Sequence, residues 1–320
     1  MSRWELPVPG GFSLRCTVCS HGFYMLAPNV WDAQAQTLHR VLELEHPRVV
    51  VQVSVREQAP GMLVLESSTK LANESRAQQL RRMVSRMLRI PLPQIGNSTT
   101  THDDECEKFY AVYPQARAHG FGLMLRGPTL FEDMVRTLTS VNVTWRNTVT
   151  MNEKLVEHYG LDKSRSVNPK GLGVFPSPKQ LADVDESDLR LNCRVGYRAS
   201  SIISLAKAFV AGELDPEWFE SPDTALQDAE QAILNLRGFG PYATNTVLSI
   251  SLGHWDVLPI DSETRRLWRD KSKGKKVDDA KILAYYEQFR PYRFLAYWFE
   301  LWSASAVSRG REAGTRIPLD

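Results

Sequence analysis

The chain lacks long apolar runs, a strong net charge and a dense set of cysteines. It has 39 lysines and arginines against 37 aspartates and glutamates in 320 residues, so its formal net charge is only +2. No apolar stretch reaches the ~20 residues of a membrane span, and no basic segment precedes an apolar run at the start, so we expect neither a membrane protein nor a secretory leader. Any binding to a polyanion must therefore depend on local basic patches.

The few cysteines exclude a disulfide framework and are typical of a reducing compartment. The four are Cys16, Cys19, Cys106 and Cys193. The Cys16-Thr17-Val18-Cys19 spacing, with His21 close behind, invites a zinc site, but zinc needs four ligands and no second pair follows. His102 and Cys106 complete a set only if the fold happens to bring them there. We predict no metal and interpret Cys16 and Cys19 as residues of β-strands.

The hydrophobic fraction of 42% is ample for a packed core. Short β-prone runs dominate the first 120 residues, at Phe12 to Cys19, Val41 to Glu45, Val49 to Val55 and Met62 to Glu66. Helical periodicity follows at Ser75 to Ile90 and Asp103 to Tyr113, and it prevails from Pro128 onward. We predict an α+β protein with an N-terminal antiparallel sheet and helices over residues 1–122, an all-helical bundle over 123–309 and a tail over 310–320.

Later helical patterns are separated by loops rich in glycine and proline. The predicted helices are Met151 to Tyr159, Pro178 to Ala182, Tyr197 to Ala211, Ala225 to Leu236, Pro241 to Leu252, Ser262 to Trp268, Asp278 to Gln288 and Tyr292 to Ser308.

Two glycines separated by a phenylalanine lie between two of these helices, in Leu236-Arg237-Gly238-Phe239-Gly240-Pro241-Tyr242-Ala243. Glycine at both positions permits a positive φ and a close approach of the backbone to another molecule. Pro241 suits the first turn of a helix, whose free N–H groups would suit a phosphate. The pattern predicts a helix–hairpin–helix that grips a nucleic-acid backbone, and an ordinary helical corner is the alternative.

Asp261, in Leu258-Pro259-Ile260-Asp261, has two interpretations. It precedes a helical pattern, and aspartate is a favoured N-cap. A carboxylate at a helix N-terminus also tends to stay ionised, so it could stabilise a cationic sugar or orient a water molecule.

Together these motifs resemble the helix–hairpin–helix (HhH-GPD) DNA glycosylase superfamily, whose signature is Leu-x-Gly-apolar-Gly followed by Pro-apolar-Asp. The resemblance extends over much of residues 120 to 305. Supporting stretches are Arg126 to Glu132, Gly196 to Ala199, Tyr292-Arg293 and Ala296 to Trp298. It implies an enzyme that flips a damaged base out of duplex DNA and cleaves its glycosidic bond, with Asp261 as the catalytic carboxylate. It also implies that Gly238, Phe239, Gly240 and Tyr242 contact the DNA backbone.

Two departures from the family pattern narrow this expectation. Bifunctional members carry a Schiff-base lysine where this chain has Tyr242, so the resemblance implies a monofunctional hydrolase. Several branches hold an iron–sulfur cluster on four cysteines near the C-terminus, and no cysteine follows Cys193 here. The resemblance is therefore closer to the 3-methyladenine and 8-oxoguanine branches. It implies no organic cofactor and is compatible with a structural monovalent cation at the hairpin.

The 8-oxoguanine branch suggests residues that fill the gap left by a flipped base. Asn142 matches the gap-filling asparagine, Tyr197 the aromatic wedge and Arg198 the contact to the orphaned partner base. Their alternatives are a local cap, a core aromatic residue and a phosphate contact, respectively. Aromatic side chains suit a cationic alkylated base, and the pocket candidates, each equally explicable as a core residue, are Tyr24, Trp31, Trp145 and Trp298.

Two basic segments remain. We expect Arg76 to Arg89 to be a solvated helix face and Arg265 to Lys276, which follows Asp261, to lie near DNA. The expected partner is double-stranded DNA with an alkylated or oxidised base, bound by a monomer inside the cell, in the nucleus if the source is eukaryotic. A glycosylase/lyase that uses another lysine and a non-catalytic DNA-damage-binding protein are the alternatives.

Overall fold

A computed structural model describes residues 1–8, 11–45, 48–71, 73–90, 103–161 and 173–307. Within these residues an antiparallel sheet has the order β1-β5-β4-β3-β2. Its strands are β1 (Ser2–Pro7), β2 (Val30–Asp32), β3 (Thr37–Leu44), β4 (Val49–Ala59) and β5 (Met62–Ser67). The predicted runs in β3, β4 and β5 are confirmed, whereas β1 and β2 were not predicted from the sequence pattern.

Within Phe12 to Cys19 the residues Leu14–Val18 form a helix, so the prediction of a strand there is wrong. Helix α1 (Leu14–Val18) begins where the Ser13 hydroxyl accepts a hydrogen bond from the Cys16 N–H at 3.3 Å. Leu14 and Val18 are four residues apart and pack together into the core under the sheet, which an α-helix allows. Cys16 therefore lies in a helix, where its thiol donates to the His119 carbonyl at 3.0 Å. His102 lies outside the described residues.

The remaining helices carry the bulk of the fold, as predicted for an α+β protein. They are α2 (Glu74–Leu88), α3 (Asp103–Val112), α4 (Leu130–Ser140), α5 (Trp145–Tyr159), α6 (Pro178–Ala182), α7 (Glu186–Cys193), α8 (Arg198–Val210), α9 (Pro216–Glu220), α10 (Leu226–Leu234), α11 (Pro241–Thr246), α12 (Ser262–Lys271), α13 (Asp279–Tyr286) and α14 (Arg293–Val307). No helix in the described ranges combines the length and the apolar character that a bilayer crossing needs.

Three buried clusters hold these elements together. One lies under the sheet and includes α2; a second joins α4, α5, α8, α10 and α11. The third packs Phe109 and Phe121 against α13 and α14 and includes Phe23 from the chain before β2. The segment between β1 and β2 therefore packs in the same core as α14.

A buried ion network fixes the sheet to the bundle. Arg40 of β3 bonds to Glu132 of α4 at 2.5 Å, and Glu132 also pairs with Arg136 at 2.6 Å; all three side chains are 3% exposed or less. Arg40 donates in addition to the Asn29 side chain at 2.5 Å. Breaking one partner of a buried pair leaves an uncompensated charge, at a cost of about 3–5 kcal/mol. This network therefore holds the loop before β2 against α4.

Arg86 and Arg89 do not form the solvated face that the sequence suggested. Arg86 pairs with Asp133 at 2.8 Å and with Glu220 at 2.5 Å, and its side chain is 12% exposed. Arg89 donates to the Ile250 carbonyl and lies 4.6 Å from the Trp255 ring centroid. Burial lowers the pKa of Arg89 well below its ordinary value, and the nearby Arg126 and Arg86 charges lower it further. The predicted helix is confirmed, but the guanidinium groups of Arg86 and Arg89 contact other parts of the protein instead of solvent.

Candidate active site

The hairpin between α10 and α11 depends on one of its two glycines. Gly238 has φ +91°, and a Cβ there would lie 2.6 Å from the Ser201 hydroxyl oxygen and 3.0 Å from Leu138. Gly240 has φ −84°, and a Cβ there would meet no atom within 4 Å. Of the two glycines, Gly238 adopts the positive φ that glycine permits and Gly240 does not. Phe239 between them is buried in the bundle core, while both glycines are exposed.

Gly240 is the N-cap of α11, and Pro241 is its first residue. The helix continues as a π-helical turn over Val247–Leu252. Such turns are rare and occur frequently at functional sites. Two arginines from the N-terminal half bind its last carbonyls: Arg89 that of Ile250, and Arg126 that of Ser251, at 2.6 Å. The hairpin helix is thus held at its far end by two arginines that precede α4 in the chain.

Asp261 is the N-cap of α12, and only one of its oxygens is used for that purpose. Oδ1 accepts from the Thr264 N–H at 2.8 Å and is 2.9 Å from the Thr264 hydroxyl oxygen. Oδ2 lies 3.5 Å from the Tyr242 hydroxyl of α11. The two interpretations of Asp261 are therefore compatible, because the cap leaves Oδ2 beside the hairpin helix.

Two tyrosines near this carboxylate are held in the protonated form. Burial raises the pKa of Tyr242 to about 12, and the charge of Asp261 adds to that increase. Burial and the Asp261 charge also raise the pKa of Tyr297 of α14. Both hydroxyls consequently remain hydrogen-bond donors at neutral pH.

A cavity of about 950 Å³ opens beside Asp261 and Tyr242. Of the residues predicted from the sequence, it is lined by Tyr24, Asn142, Trp145, Gly240, Tyr242, Asp261 and Trp298. The lining also includes residues that the sequence did not single out for this role, among them His21, Phe23, Thr246, Phe294 and Tyr297. The aromatic density of His21 to Trp31 was the available signal for two of them, but their distance from Asp261 in the chain concealed the connection.

The aromatic wall comes from three distant segments. The 3₁₀ turn Gly22–Met25 brings Phe23 and Tyr24 to the cavity. Trp145 lies directly on Gly22, where a Cβ would be 2.3 Å from its ring. Trp298 donates its indole N–H to the Ser20 carbonyl at 2.9 Å and stacks on Phe294 with ring centroids 5.7 Å apart.

Several predicted residues lie outside this cavity. Trp31 packs against the core under the sheet, so the geometry matches its alternative as a core aromatic residue. Tyr197 is 63% exposed. Arg198 is buried; it donates to the Leu138 carbonyl at 3.0 Å and to that of Val141, and its guanidinium stacks on Tyr197 at 4.5 Å. Arg198 thus links Tyr197 to the loop of Asn142, which has φ +51° and is exposed on the cavity rim.

The basic segment after Asp261 is partly neutralised by protein carboxylates. Arg265 pairs with Asp279 at 2.8 Å, Arg266 with Glu263 at 2.8 Å, and Lys271 with Glu300 at 2.5 Å. The side chains of Arg269, Lys273, Lys275 and Lys276 are exposed at the end of α12 and in the loop that follows. Within the described ranges, no three histidine, cysteine or acidic side chains are grouped to hold a metal ion.

Known proteins resemble part of this chain in sequence and most of it in fold. Residues 135–289, just under half of the chain, match the profile of the HhH-GPD superfamily of base excision DNA repair proteins. A Bacillus subtilis protein named DNA-3-methyladenine glycosylase is 28% identical over 142 residues, which are 44% of this chain and 46% of that protein. A Schizosaccharomyces pombe protein named DNA-3-methyladenine glycosylase 1 is 26% identical over 138 residues, 42% of this chain and 60% of that one. The chain spans about half the length of the curated relatives it matches.

The likeness of the fold covers more of the chain. A solved structure of a 3-methyladenine DNA glycosylase from Archaeoglobus fulgidus superposes with a TM-score of 0.72 and 18% identity, over 95% of this chain and 99% of that one. The matched profile includes the hairpin and Asp261, so the resemblance seen in the sequence is confirmed. Over residues 135–289 the chain resembles the HhH-GPD superfamily of base excision DNA repair proteins.

Proposed function

We propose that this protein is a monofunctional DNA glycosylase, which hydrolyses the glycosidic bond of a flipped damaged base with Asp261 as the catalytic carboxylate. The observation that carries the proposal is the cavity beside the hairpin, because it combines an exposed backbone grip, the Oδ2 atom of Asp261 and an aromatic wall. A base inside a duplex is inaccessible to such a cavity, so the nucleotide must be extruded first.

The proposed chemistry depends on a carboxylate that lies beside the sugar of the flipped nucleotide. Departure of the base leaves oxocarbenium character at the anomeric carbon, which a nearby carboxylate stabilises. Oδ2 of Asp261 is available for this purpose because the cap of α12 uses Oδ1. The same carboxylate would orient the water molecule that attacks the cation.

The monofunctional assignment is supported by the residues that surround Asp261. By the resemblance to the family motif, Tyr242 corresponds to the Schiff-base lysine of bifunctional members, and its raised pKa keeps it a neutral hydroxyl. Among the described residues that line the cavity there is no lysine. A phenol cannot form the imine that strand cleavage by β-elimination requires.

The cavity favours a cationic alkylated purine over a neutral oxidised one. Electron-rich faces attract a cation, and Tyr24, Trp145 and Trp298 supply such faces. Two carboxylates, Asp261 and Glu263, line the cavity with one guanidinium, that of Arg265, which already pairs with Asp279. The names of the Bacillus and Schizosaccharomyces relatives point to the same class of base.

The proposed partner is double-stranded DNA inside the cell. Gly238, Gly240 and the start of α11 would hold the phosphate backbone, while exposed Tyr197 and Asn142 would fill the space left by the extruded nucleotide. The exposed cations after α12 would add electrostatic attraction that decreases with salt.

The test is the substitution Asp261→Asn, measured by single-turnover excision from duplexes with methylated purines, 8-oxoguanine, hypoxanthine or uracil. Asparagine is an equally good N-cap, so the variant should fold and bind DNA but lose at least about 100-fold in rate. Asp215→Asn is the matched control, since Asp215 caps α9 by accepting from the Glu217 N–H at 2.9 Å. Retention of excision by Asp261→Asn would refute the assignment.

The same reactions test the monofunctional assignment. Borohydride reduces and traps an enzyme–sugar imine, so the wild-type protein should give no covalent complex with abasic DNA. A high yield of trapped complex would assign the protein to the bifunctional class instead.

A further inference from the structure

Behind Asp261 lies a chain of hydroxyl groups that the proposed reaction does not use directly. Thr264 is fully buried, and its hydroxyl oxygen lies 2.9 Å from Oδ1 of Asp261 and 2.9 Å from the Tyr297 hydroxyl. The Asp261 N–H donates to the same threonine oxygen at 3.2 Å. The Pro259 carbonyl oxygen is a fourth and more distant neighbour, 3.4 Å from the same hydroxyl oxygen.

The direction of these hydrogen bonds follows from the number of protons. A threonine hydroxyl has one hydrogen to donate and two lone pairs that accept. Its strongest acceptor here is the carboxylate, since a bond to an ionised group is about twice as strong as one between neutral groups. The Thr264 proton thus points at Oδ1, and Thr264 accepts from the Asp261 N–H and from Tyr297. The raised pKa of Tyr297 ensures that it has a proton to give.

We propose that Thr264 and Tyr297 are positioning residues, which lock the carboxylate of Asp261 by Oδ1 so that Oδ2 alone faces the sugar of the flipped nucleotide. Two donors on Oδ1, the Thr264 N–H and hydroxyl, oppose rotation of the carboxylate group. This inference rests on the proposed function, and it assigns a role to two residues that touch no reacting atom.

Tyr297 also connects this lock to the cavity wall. It lines the cavity, and its ring packs edge-on against Trp298 with centroids 5.8 Å apart. On its other side it meets Tyr286 edge-on at 5.9 Å. The hydroxyl that orients Asp261 is therefore carried by a side chain fixed in the aromatic wall that would receive the base.

The first experiment measures single-turnover excision of a methylated purine by Thr264→Val, Thr264→Ser and Tyr297→Phe. Loss of a hydrogen bond to a charged group is worth about 1.5–3 kcal/mol, so Thr264→Val should lower the rate roughly 10- to 100-fold with little change in DNA affinity. Thr264→Ser restores the hydroxyl and should restore most of the rate. Tyr297→Phe should be slower than wild type, and its effect should not add to that of Thr264→Val, since Tyr297 acts through Thr264.

Thr137→Val is the matched control, since Thr137 is a fully buried threonine of α4 whose hydroxyl donates to the Asp133 carbonyl at 2.9 Å, outside the cavity. Thermal unfolding of each variant separates a loss of positioning from a loss of fold. Equal losses in Thr264→Val and Thr264→Ser, or full activity of Thr264→Val, would overturn the proposal.

A second readout does not need excision. A duplex with a cationic pyrrolidine at the sugar position mimics the oxocarbenium ion, and a neutral tetrahydrofuran is its uncharged counterpart. Wild-type protein should bind the cationic duplex more tightly, and Thr264→Val should lose that preference but keep its affinity for the neutral one.

The excision and binding measurements distinguish a failure of the glycosylase assignment from a failure of the positioning proposal. A wild-type protein that excises no base but loses its cation preference through Thr264→Val would refute the glycosylase assignment and support the positioning pair. An unchanged preference in Thr264→Val, or no preference in the wild-type protein, would refute the pair.

Discussion

At the scale of single residues, one wall of the cavity depends on a close contact between Gly22 and Trp145. At Gly22, Trp145 occupies the space where a side chain would begin. The indole is 36% exposed. The contact therefore sets where the aromatic wall stands.

We expect Gly22→Ala to displace Trp145, to destabilise the protein by about 1–3 kcal/mol through overpacking and to slow excision. In Gly22→Ala/Trp145→Leu the clashing ring is absent, so the alanine should have little further effect in a double-mutant cycle. Thermal unfolding and single-turnover excision are the measurements. Additive effects of the two substitutions would show that the contact does not shape the site.

Site residues that belong to a local sequence motif could be predicted, whereas residues that are far apart in the chain and meet only in the folded protein could not. Asp261 and the hairpin could be found because each is a local pattern with its own physical reason. The Thr264 and Tyr297 hydroxyls meet only after α14 packs against α12. Tyr297 lies in the Ala296 to Trp298 stretch that supports the resemblance, but nothing in the sequence connects it with Thr264. Arg198 shows the converse, since its local resemblance was clear but its guanidinium binds backbone carbonyls inside the protein.

At the scale of elements, the hairpin separates two functions between its glycines. Gly238 is required by its positive φ and by its contact with Ser201 and Leu138, whereas Gly240 faces open space. Gly238 is therefore required by the folded backbone, whereas Gly240 leaves the surface of the hairpin open to a bound molecule.

We expect Gly238→Ala to destabilise the protein by about 1–3 kcal/mol, since it combines a strained φ with a steric clash. Gly240→Ala should cost at most about 1 kcal/mol, because it alters only the N-cap of α11, yet it should weaken DNA binding if the backbone of DNA approaches there. Urea unfolding and binding to undamaged duplex separate the two effects. Equal destabilisation by both variants would contradict this division.

Element types were easier to predict than their ends. The strands β3 to β5 and most helices of the bundle follow from apolar periodicity, but the apolar residues of Phe12 to Cys19 are compatible with both a strand and a helix. The deciding residue is Ser13, whose side chain caps α1. Capping geometry operates over three residues and is invisible to a pattern of apolar positions.

At the scale of the whole molecule, two histidines far apart in the chain resist protonation. Burial lowers the pKa of His39, on β3, against the opposing charge of Asp32. Burial also lowers that of His254, and the neighbouring Arg89 adds to the decrease. Both remain neutral in the folded state at a pH where the unfolded chain takes up protons.

The free energy of unfolding should consequently be highest above the ordinary histidine pKa of 6.5 and decrease as the pH falls below it. Urea unfolding at about pH 7.5 and about pH 5.5 measures the decrease. His254→Gln should reduce it, whereas His158→Gln, at an exposed position of α5, is the matched control. Identical pH slopes for His254→Gln and wild type would contradict the assignment.

The Gly22–Met25 turn has a consequence for redesign. It forms part of the cavity wall but belongs to a different stretch of chain from the hairpin and from α12. The loop that follows it is anchored to α4 through Arg40, Asn29 and Glu132, so the turn has a fixed frame on one side. Under the proposed function, substitutions of Tyr24 and Met25, which line the cavity, would vary the base that it accepts, while Gly22 and the residues around Asp261 stay unchanged. If the proposed function is correct, base preference and bond cleavage are separable targets for directed evolution in this scaffold.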